Sequence, residues 1–308
     1  MKQSHSYRAI SSEEREAFHR DGVICLRGLY SGHWVEQIAE ALEEICAIPS
    51  PINEKTGSLT SDGFRSDAFT WMTNDRVRDF VLQGPSAEVV QRVFGSESIR
   101  FFYDQIFVKR RLTPDPTPWH QDATFWPIKG QQVASLWTSV DPVDARTSAL
   151  EFVGGSHLWP QRFEAVAPGG LVLSDDKELE APPDIEADRS KYNILSWELE
   201  PGDALLFHAL TLHGSRGNQS PRLQRRAITT RWCGDDVAYA PKGRQMPIAW
   251  NHGLAAGDLL SGPVFPRVFP SVLEHEVSAR MAGPLMPDLV ILSGFLAEMD
   301  QMKRVAVR

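Results

Sequence analysis

The sequence predicts a mainly β fold of the α+β class, with helices in about its first hundred residues and strands after them. Apolar residues recur at helical spacing before Gly95, whereas the apolar segments after Gly95 are short and bounded by Pro, Gly, Asp or Asn. Helices and strands do not alternate regularly, as they would around a parallel sheet. A chain of 308 residues is long enough to bury a sizeable core in such a fold.

The predicted helices are recognised by their ends and by one apolar face. Ser11 and Glu14 form a capping-box pattern, which predicts a helix that continues to about Arg20. Apolar residues at helical spacing predict a second helix: Trp34, Ile38, Ala41, Leu42 and Ile45. Further candidate caps are Gly22 and Gly95 at helix C-termini, and Asn74 and Ser86 at the N-termini of two shorter helices.

Six later segments have the composition of strands. They are Ile99–Lys109, Val133–Val140, Leu150–Val153, Ile194–Leu199, Ala204–Leu212 and Ala227–Cys233. Pro201-Gly202-Asp203 directly precedes one of them and is typical of a turn.

A long segment at about 161–192 interrupts these strands and contains Pro168-Gly169-Gly170, an acidic run and Pro182-Pro183. Loops of this length inside a domain are usually functional or disordered. We expect this segment to bury little apolar surface and to close over bound substrate. Its amide hydrogen exchange is then expected to be fast in the substrate-free protein and slower in the complex.

Charge and composition limit the partners of this chain. It has 32 Lys and Arg residues against 40 Asp and Glu residues, a net charge of −8, which disfavours nucleic acid and anionic membranes as general partners. No apolar stretch approaches the roughly 20 residues that span a bilayer, and the N-terminus lacks an apolar signal region. Three widely separated cysteines form no disulfide framework, so we expect a reducing, cytoplasmic location.

The tripeptide His120-Gln121-Asp122 is the strongest chemical signal. Residues i and i+2 of a strand share a face, so a strand would present the imidazole of His120 beside the carboxylate of Asp122. One more His completes the facial triad of non-haem Fe(II) oxygenases, which leaves positions open for substrate and dioxygen. A second H-x-D tripeptide, His19-Arg20-Asp21, falls at a predicted helix end where i and i+2 do not share a face, and we assign it to solvent.

Several histidines are candidates for the third ligand: His157, His208, His213, His252 and His275. His213 is favoured because it ends a strand-like segment and is followed, about twelve residues later, by Arg225-Arg226. An arginine beside the metal would hold the far carboxylate of a dicarboxylate through two hydrogen bonds. His208 lies an odd number of residues before His213, which places it on the opposite strand face.

The order of the motifs resembles one known family, the phytanoyl-CoA dioxygenase family of Fe(II)/2-oxoglutarate-dependent oxygenases. The segments that carry the resemblance are Phe18–Val23, Asp104–Lys109, Thr117–Asp122, Leu150–His157, Pro201–Asp203, His213–Ser215, Asn218 and Arg225–Ile228. Together they cover most of residues 11–235 in the order of the family.

The resemblance implies a double-stranded β-helix, a jelly-roll or cupin-like barrel with flanking N-terminal helices. We expect one oxygenase domain over residues 1–308, with a helical flank at about 1–97, the jelly-roll core at about 98–235 and a C-terminal extension at about 236–308. By matching positions, the implied site residues are His120, Asp122 and His213 as iron ligands, and Arg225, Ser215, Gln105 and Trp137 around 2-oxoglutarate.

Two residues near this site are assigned by weighing alternatives. The spacing from His213 to the arginines is one residue longer than the resemblance implies, so Arg226 is the alternative to Arg225. Neighbouring strand residues face opposite ways, so only one of the two arginines can serve. We assign Lys109 to the surface and leave it out of the site.

The expected activity is hydroxylation of an unactivated C–H bond of a small organic metabolite, using Fe(II), 2-oxoglutarate and O2 and releasing succinate and CO2. Desaturation, epimerisation and ring formation use the same three ligands and stay open as alternatives. Asp122 occupies the position that halogenases vacate for chloride. A remote alternative is a non-catalytic β-barrel that holds a structural metal, but such sites prefer four ligands rich in Cys. The substrate and the oligomeric state are not readable from the sequence.

Overall fold

A computed structural model describes residues 8–50, 63–167, 171–271, 287–288, 290–291, 293–294 and 297. The α-helices in the described residues are α1 (Ser12–Asp21), α2 (Gly32–Ala47), α3 (Asp75–Gln83) and α4 (Ser86–Phe94). The strands are β1 (Val23–Leu26), β2 (Phe64–Ala68), β3 (Ile99–Lys109), β4 (Thr117–His120), β5 (Ile128–Lys129), β6 (Val133–Ser139), β7 (Leu150–Val153), β8 (Val166–Ala167), β9 (Leu171–Val172), β10 (Ile194–Ser196), β11 (Ala204–His208), β12 (His213–Ser215), β13 (Arg225–Cys233), β14 (Ala238–Tyr239) and β15 (Arg267–Phe269).

Two antiparallel sheets form the centre of the fold. The large sheet has the strand order β1-β11-β6-β13-β3-β15, with β2 also paired to β3, and the small sheet has the order β10-β7-β12-β4. Apolar side chains from both sheets, among them Trp137, Phe152 and Phe207, form one buried cluster between them. The predicted mainly β class is confirmed. Within the described residues, however, the sheets stay separate and do not close into a continuous barrel.

The helices cover the other face of the large sheet. Ile38 and Leu42 of α2 and Phe80 of α3 belong to the same buried cluster as Ile228 and Trp232 of β13. Since Ala227 belongs to the cluster between the sheets, alternate residues of β13 face opposite layers. Odd-numbered residues of this strand from Arg225 to Arg231 therefore point to the space between the sheets, which we call the inner face, and a register shift ends this alternation after Arg231.

Helix caps explain most of the helix boundaries. Ser11 and Glu14 form the predicted capping box, and Gly22 ends α1 with a φ of 77°. Asn74 accepts a hydrogen bond from the Val77 amide at the start of α3. The prediction for Ser86 is wrong: it is the first residue of α4 and makes no capping bond. Its hydroxyl is buried and bonds to the Tyr30 hydroxyl at 2.9 Å, which explains why a polar residue occupies that position.

The first hundred residues are not wholly helical, contrary to prediction. Strand β1 follows α1 directly and pairs with β11, and β2 pairs with β3 along its whole length. Strand β1 has four residues, too few to show a period, and β2 (Phe-Arg-Ser-Asp-Ala) lacks the alternation of a half-buried strand. Both strands were missed because they are defined by pairing with distant strands, which the local sequence does not show.

The segment at about 161–192 is more structured than predicted. Strands β8 and β9 pair with each other, and Phe163 and Ile185 are buried against Val153 and Leu212. The expectation of little apolar burial is therefore wrong for these two side chains, while closure over substrate stays a prediction. The apolar run at 289–299 has a helix-like pattern in the sequence; its described residues, 290–291, 293–294 and 297, are helical, and the others lie outside the described residues.

Two findings bear on the environment of the chain. All three cysteines are free thiols. Among the helices in the described part of the chain, none has both the length and the apolar character that crossing a membrane requires.

Gly22 gives a test of the junction between α1 and the β sheets. Its φ is positive, and a Cβ there would overlap with Nδ1 of His157 and Oγ1 of Thr211. Gly95 also ends a helix with a positive φ, but no atom lies within 4 Å of its added Cβ. Gly95→Ala is expected to cost about 1–2 kcal/mol from the backbone alone, and Gly22→Ala about 1–3 kcal/mol more from overlap. Urea unfolding of both variants would measure the difference, and equal losses would contradict the close approach.

Candidate active site

Two side chains of one tripeptide and a third from a distant part of the chain meet at one end of the inner face. The ligand atoms of His120, Asp122 and His213 all lie within 4.8 Å of one another. Nε2 of His120 is 3.4 Å and Nε2 of His213 is 3.9 Å from Oδ1 of Asp122. The pairing of β12 with β4 places His213 directly opposite His120. The three residues that the sequence singled out are therefore adjacent in the structure.

The local backbone of this cluster differs from the prediction. Strand β4 ends at His120, and Asp122 has helical dihedral angles (φ −65°, ψ −48°) at the start of a 3₁₀ turn. His213 begins β12 and does not end the preceding strand, because β11 stops at His208. A turn at Asp122, and not the i, i+2 geometry of a strand, brings the carboxylate beside the imidazole of His120.

Backbone carbonyls orient both imidazole rings. Nδ1 of His120 lies 2.8 Å from the Pro118 carbonyl, and Nδ1 of His213 lies 2.9 Å from the Thr211 carbonyl. An Nδ1–H that donates to a carbonyl leaves the lone pair on Nε2, which faces the other two side chains. Burial and the neighbouring His120 lower the pKa of His213 to about 4, so this ring is neutral at pH 7. Neutral imidazoles are the form that binds a metal.

Asp122 is held as a carboxylate through its second oxygen. Oδ2 accepts a hydrogen bond of 3.0 Å from the Ser135 hydroxyl and lies 4.0 Å from Nη2 of Arg231. Burial alone would raise the pKa of Asp122, but the contact with His120 and the proximity of His213 and Arg231 bring it well below its ordinary value. Ser135 therefore fixes Oδ2 and leaves Oδ1 facing the two imidazoles.

A cationic group lies further along the inner face. Arg225 is 2% exposed, and its Nε has no hydrogen-bond partner among the described residues. Its guanidinium lies 5.5 Å from the ring centroid of Trp137, and burial lowers its pKa to about 10, so it stays charged at pH 7. A buried guanidinium with a free donor is suited to bind a carboxylate.

Lys109 lies beside Arg225, and its assignment to the surface is wrong. The side chain is fully buried, and Nζ donates 3.0 Å hydrogen bonds to the Ser215 hydroxyl and the Arg216 carbonyl. Lys109 pairs directly with Arg225 across β3 and β13. Burial and the Arg225 charge lower the pKa of Lys109 to about 6. The alternation of β3 puts Lys109 on the same face as Gln105, a signal that could have identified it.

Arg226 faces the other way and is already paired. Its Nε and Nη2 bind the two carboxylate oxygens of Asp141 at 3.0 Å and 2.7 Å, and Nη1 reaches Glu43 at 3.1 Å. These salt bridges satisfy its charge outside the inner face. Arg225 and Arg226 therefore point to opposite sides of β13, as expected of neighbouring residues in a strand.

The two remaining predicted residues have different surroundings. Trp137 is buried in the cluster between the sheets, beside Arg225. Gln105 is half-buried and bridges two groups: its Nε2 donates to the Ser66 hydroxyl at 2.9 Å, and its Oε1 accepts from Nη2 of Arg231 at 3.1 Å. Arg231 and Ser135 were not among the predicted site residues, although both share a strand face with predicted ones.

Residues on either side of His120 hold the segment at 161–192. The Gln121 carboxamide is fully buried, donates to the Leu210 carbonyl at 2.8 Å and accepts from the Phe163 amide at 2.9 Å. Nε1 of Trp119 donates to Glu186 at 3.1 Å. The beginning and the later part of this segment are thus attached to the two chain neighbours of one cluster residue.

Of the other histidine candidates, His157, His208 and His252 are not part of this cluster, and His275 lies outside the described residues. His208 is buried, with Nε2 2.8 Å from the Gln131 carbonyl, as expected for a core residue. His157 stacks near it, with ring centroids 5.2 Å apart. His19 is exposed, and Asp21 pairs with Arg20, so the second H-x-D tripeptide is a solvated helix end, as predicted.

The fold and the site together define a class, the non-haem Fe(II)- and 2-oxoglutarate-dependent oxygenases. Residues 18–227 match the family model described as phytanoyl-CoA dioxygenase (PhyH), so the chain belongs to that family and is an enzyme of this class. The use of Fe(II) and 2-oxoglutarate follows from the same membership.

Similar proteins agree with this classification. A probable phytanoyl-CoA dioxygenase of Caenorhabditis elegans is 22% identical over 249 residues, which are 74% of this chain and 77% of that protein. The 1-deoxypentalenic acid 11-beta-hydroxylase of Streptomyces arenae is 28% identical over 235 residues, 71% of this chain and 81% of the other. The non-heme alpha ketoglutarate dependent carbocyclase SnoK has a TM-score of 0.67 and 23% identity over 84% of this chain and 96% of its own, which shows a shared fold.

The donor set fits iron. Two imidazole nitrogens and one carboxylate are the ligands of the facial triad, and all three converge here from a turn and two strands. The cluster contains none of the three cysteines, so it differs from closed structural zinc sites. The free donors of Arg225 likewise fit a dicarboxylate.

Ser135 gives a test of how Asp122 is held. Loss of a partner of a metal-ligating carboxylate typically lowers metal affinity by about 10- to 100-fold, and Ser135→Ala is expected to do so. Ser139→Ala is the matched control, because Ser139 lies on the same strand but bonds to the Arg226 carbonyl. Anaerobic calorimetric titration with Fe(II) or Co(II) would measure both variants. Equal affinity in Ser135→Ala and wild type would show that Ser135 does not position Asp122.

Lys109 gives a pH test of burial. The pKa of Lys109 is about 6 in the folded protein against 10.5 for an ordinary lysine. Between these two pH values the unfolded chain therefore holds a proton on Lys109 that the folded protein lacks. Stability in the metal-free protein should therefore rise with pH between these values, by up to about 1.4 kcal/mol per pH unit from this group.

Lys109→Met should remove that contribution, whereas Lys129→Met, at an exposed lysine, should leave the pH dependence unchanged. Urea unfolding between pH 6.5 and 9 would measure the slopes. Parallel slopes for Lys109→Met and wild type would mean that Lys109 is charged in the folded protein.

Proposed function

We propose that this enzyme oxidises an unactivated C–H bond of a small organic metabolite, with His120, Asp122 and His213 as the iron ligands and Arg225 as the anchor of 2-oxoglutarate. The observation that carries the proposal is the convergence of two carbonyl-oriented imidazoles on Oδ1 of one buried carboxylate. Iron bound there would supply the activation of dioxygen that couples decarboxylation of 2-oxoglutarate to substrate oxidation.

The protein residues would orient and enclose the reactants. The guanidinium of Arg225 would bind the 5-carboxylate of 2-oxoglutarate, and the Ser215 hydroxyl would donate to the same group. Lys109 donates to the Ser215 hydroxyl and would keep that hydroxyl in position beside an incoming anion. Trp137 and Gln105 would line the co-substrate pocket, where the large buried ring of Trp137 excludes water.

Relatives support a small organic substrate but not one identity. The Streptomyces arenae relative acts by its name as a hydroxylase on 1-deoxypentalenic acid, and SnoK is a carbocyclase from nogalamycin biosynthesis. Hydroxylation is our preferred outcome, and desaturation, epimerisation or ring formation is the alternative that the same ligands support. Asp122 fills the carboxylate position, so we do not propose halogenation.

Metal and co-substrate binding test this proposal directly. Fe(II)-loaded protein titrated with 2-oxoglutarate without oxygen should develop a weak metal-to-ligand charge-transfer band, and a metabolite library with oxygen and ascorbate should identify substrates through succinate release. Asp122→Ala should lose metal binding, the band and turnover but keep the fold. Asp141→Asn is the control, because Asp141 pairs with Arg226 away from the cluster. Full turnover in Asp122→Ala would overturn the ligand assignment.

The two neighbouring arginines give a separate prediction. A hydrogen-bonded pair with a charged group is worth about 1.5–3 kcal/mol, so Arg225→Gln should weaken 2-oxoglutarate binding by roughly 10- to 100-fold while iron still binds. Arg225→Lys should also bind poorly, since lysine cannot form the two parallel bonds. Arg226→Gln should change 2-oxoglutarate affinity little, and the reverse pattern would move the anchor to Arg226.

A further inference from the structure

Arg231 is a second buried arginine on the inner face, at the end where the metal cluster lies. It follows Arg225 by six residues on β13, so both side chains point between the sheets. Arg231 is 3% exposed, and its Nη2 lies 4.0 Å from Oδ2 of Asp122. Its guanidinium carbon lies 4.4 Å from the ring centroid of Tyr103 and 5.8 Å from that of Trp126.

The hydrogen bonding of Arg231 is incomplete. Its Nη2 donates to Oε1 of Gln105 at 3.1 Å, and Nη1 makes only a long contact of 3.5 Å with the Thr229 carbonyl. Its Nε is buried and has no partner among the residues that the structure describes. A buried charged group with an unused donor is costly, which is unusual unless a ligand completes its bonding.

Asp122 does not complete the bonding of Arg231. One oxygen of Asp122 accepts from Ser135, and the other faces the two imidazoles. Its distance of 4.0 Å from Nη2 is beyond hydrogen-bond range. A divalent metal bound to Asp122 would also take up the negative charge that now lies nearest to Arg231. With metal bound, the buried guanidinium would then lack a counter-charge.

We propose that Arg231 binds a carboxylate of a bound ligand at the metal end of the inner face, whereas Arg225 lies further along that face. This inference rests on the proposed function of the same site. The carboxylate would displace the neutral Gln105 oxygen from Nη2 and also accept from the free Nε, which gives two charge-assisted bonds. Gln105 is half-buried and has the Ser66 hydroxyl as a second partner, so its amide would keep one hydrogen bond after displacement.

Two sources could supply this carboxylate. One is the 1-carboxylate of 2-oxoglutarate, and the other is a substrate that is itself an organic acid. The surroundings of Arg231 are aromatic: Phe69 stacks on Tyr103 with ring centroids 5.0 Å apart, and the tilted ring of Trp250 lies 4.7 Å from Phe69. If the acid is the substrate, an apolar ring or branched skeleton beside the carboxylate is the chemistry that this wall would accept.

Binding measurements separate the two sources. Wild type, Arg231→Gln and Arg231→Lys would be loaded with Fe(II) and titrated anaerobically with 2-oxoglutarate, and the charge-transfer band and affinity recorded. With 2-oxoglutarate at saturation, the same proteins would be tested by thermal shift against alicyclic and aromatic carboxylic acids, each matched to its primary amide. Arg226→Gln is the matched control, because that guanidinium is already paired with Asp141.

The two carboxylate sources predict different binding results. If the co-substrate is the source, Arg231→Gln should weaken 2-oxoglutarate binding at least 10-fold and shift its band. If the substrate is the source, the band and the 2-oxoglutarate affinity should stay as in wild type, while a preference of wild type for acids over amides should disappear. Unchanged binding of both in a folded variant would overturn the inference. Absence of the band in wild type would overturn the proposed function itself, and with it this inference.

Gln105→Glu keeps the experiment decisive if Arg231 variants fail to fold. The new carboxylate would occupy the position of the Gln105 oxygen and supply Arg231 with the missing charge from within the protein. The variant should unfold at a higher temperature than wild type and bind the carboxylate ligand at least 10-fold more weakly. An unaltered ligand affinity would again contradict the role of Arg231.

Discussion

The pairing of β12 with β4 is the interaction on which the site depends. It places His213 opposite His120, although the two residues are far apart in the chain. The same small sheet also pairs β12 with β7, so His213 lies between two neighbouring strands and cannot shift without breaking both ladders. Register in a sheet with one buried face is strongly specified, because a slip of one residue would turn every side chain to the other face. The approach of the two imidazoles is thus a consequence of sheet register.

Two buried arginines on the inner face share one solution to the cost of burial. Each lies against an aromatic ring: Arg225 at 5.5 Å from Trp137 and Arg231 at 4.4 Å from Tyr103. A ring face attracts a cation without using its N–H groups. The donors therefore stay available, which a salt bridge such as that of Arg226 with Asp141 would not allow. Aromatic contacts therefore leave these side chains able to bind and release anions.

The sequence predicted the parts of this site that depend on strand alternation and motif order. The cluster residues His120, Asp122 and His213 meet, and the opposite orientations of Arg225 and Arg226 follow from their being neighbours on one strand. The turn at Asp122 was not predictable from a tripeptide, because two residues of context do not distinguish a strand from its end. Lys109 was missed because a lysine is almost never fully buried, although strand alternation places it on the face of Gln105; its pairing with Arg225 across two distant strands shows its place.

The attachment of the 161–192 segment constrains how this protein could acquire a new substrate range. Its fixed points are backbone and side-chain contacts to Gln121 and Trp119, the chain neighbours of His120. Between these points β8 packs against β4, the strand that ends at His120, and Arg244 donates to the Leu173 and Ser174 carbonyls. A replacement of the interior, by recombination or by grafting from a relative, would therefore leave the cluster in place only if these contacts were kept together with Phe163 and Glu186. Variation in this segment is least constrained where it touches neither β4 nor Arg244.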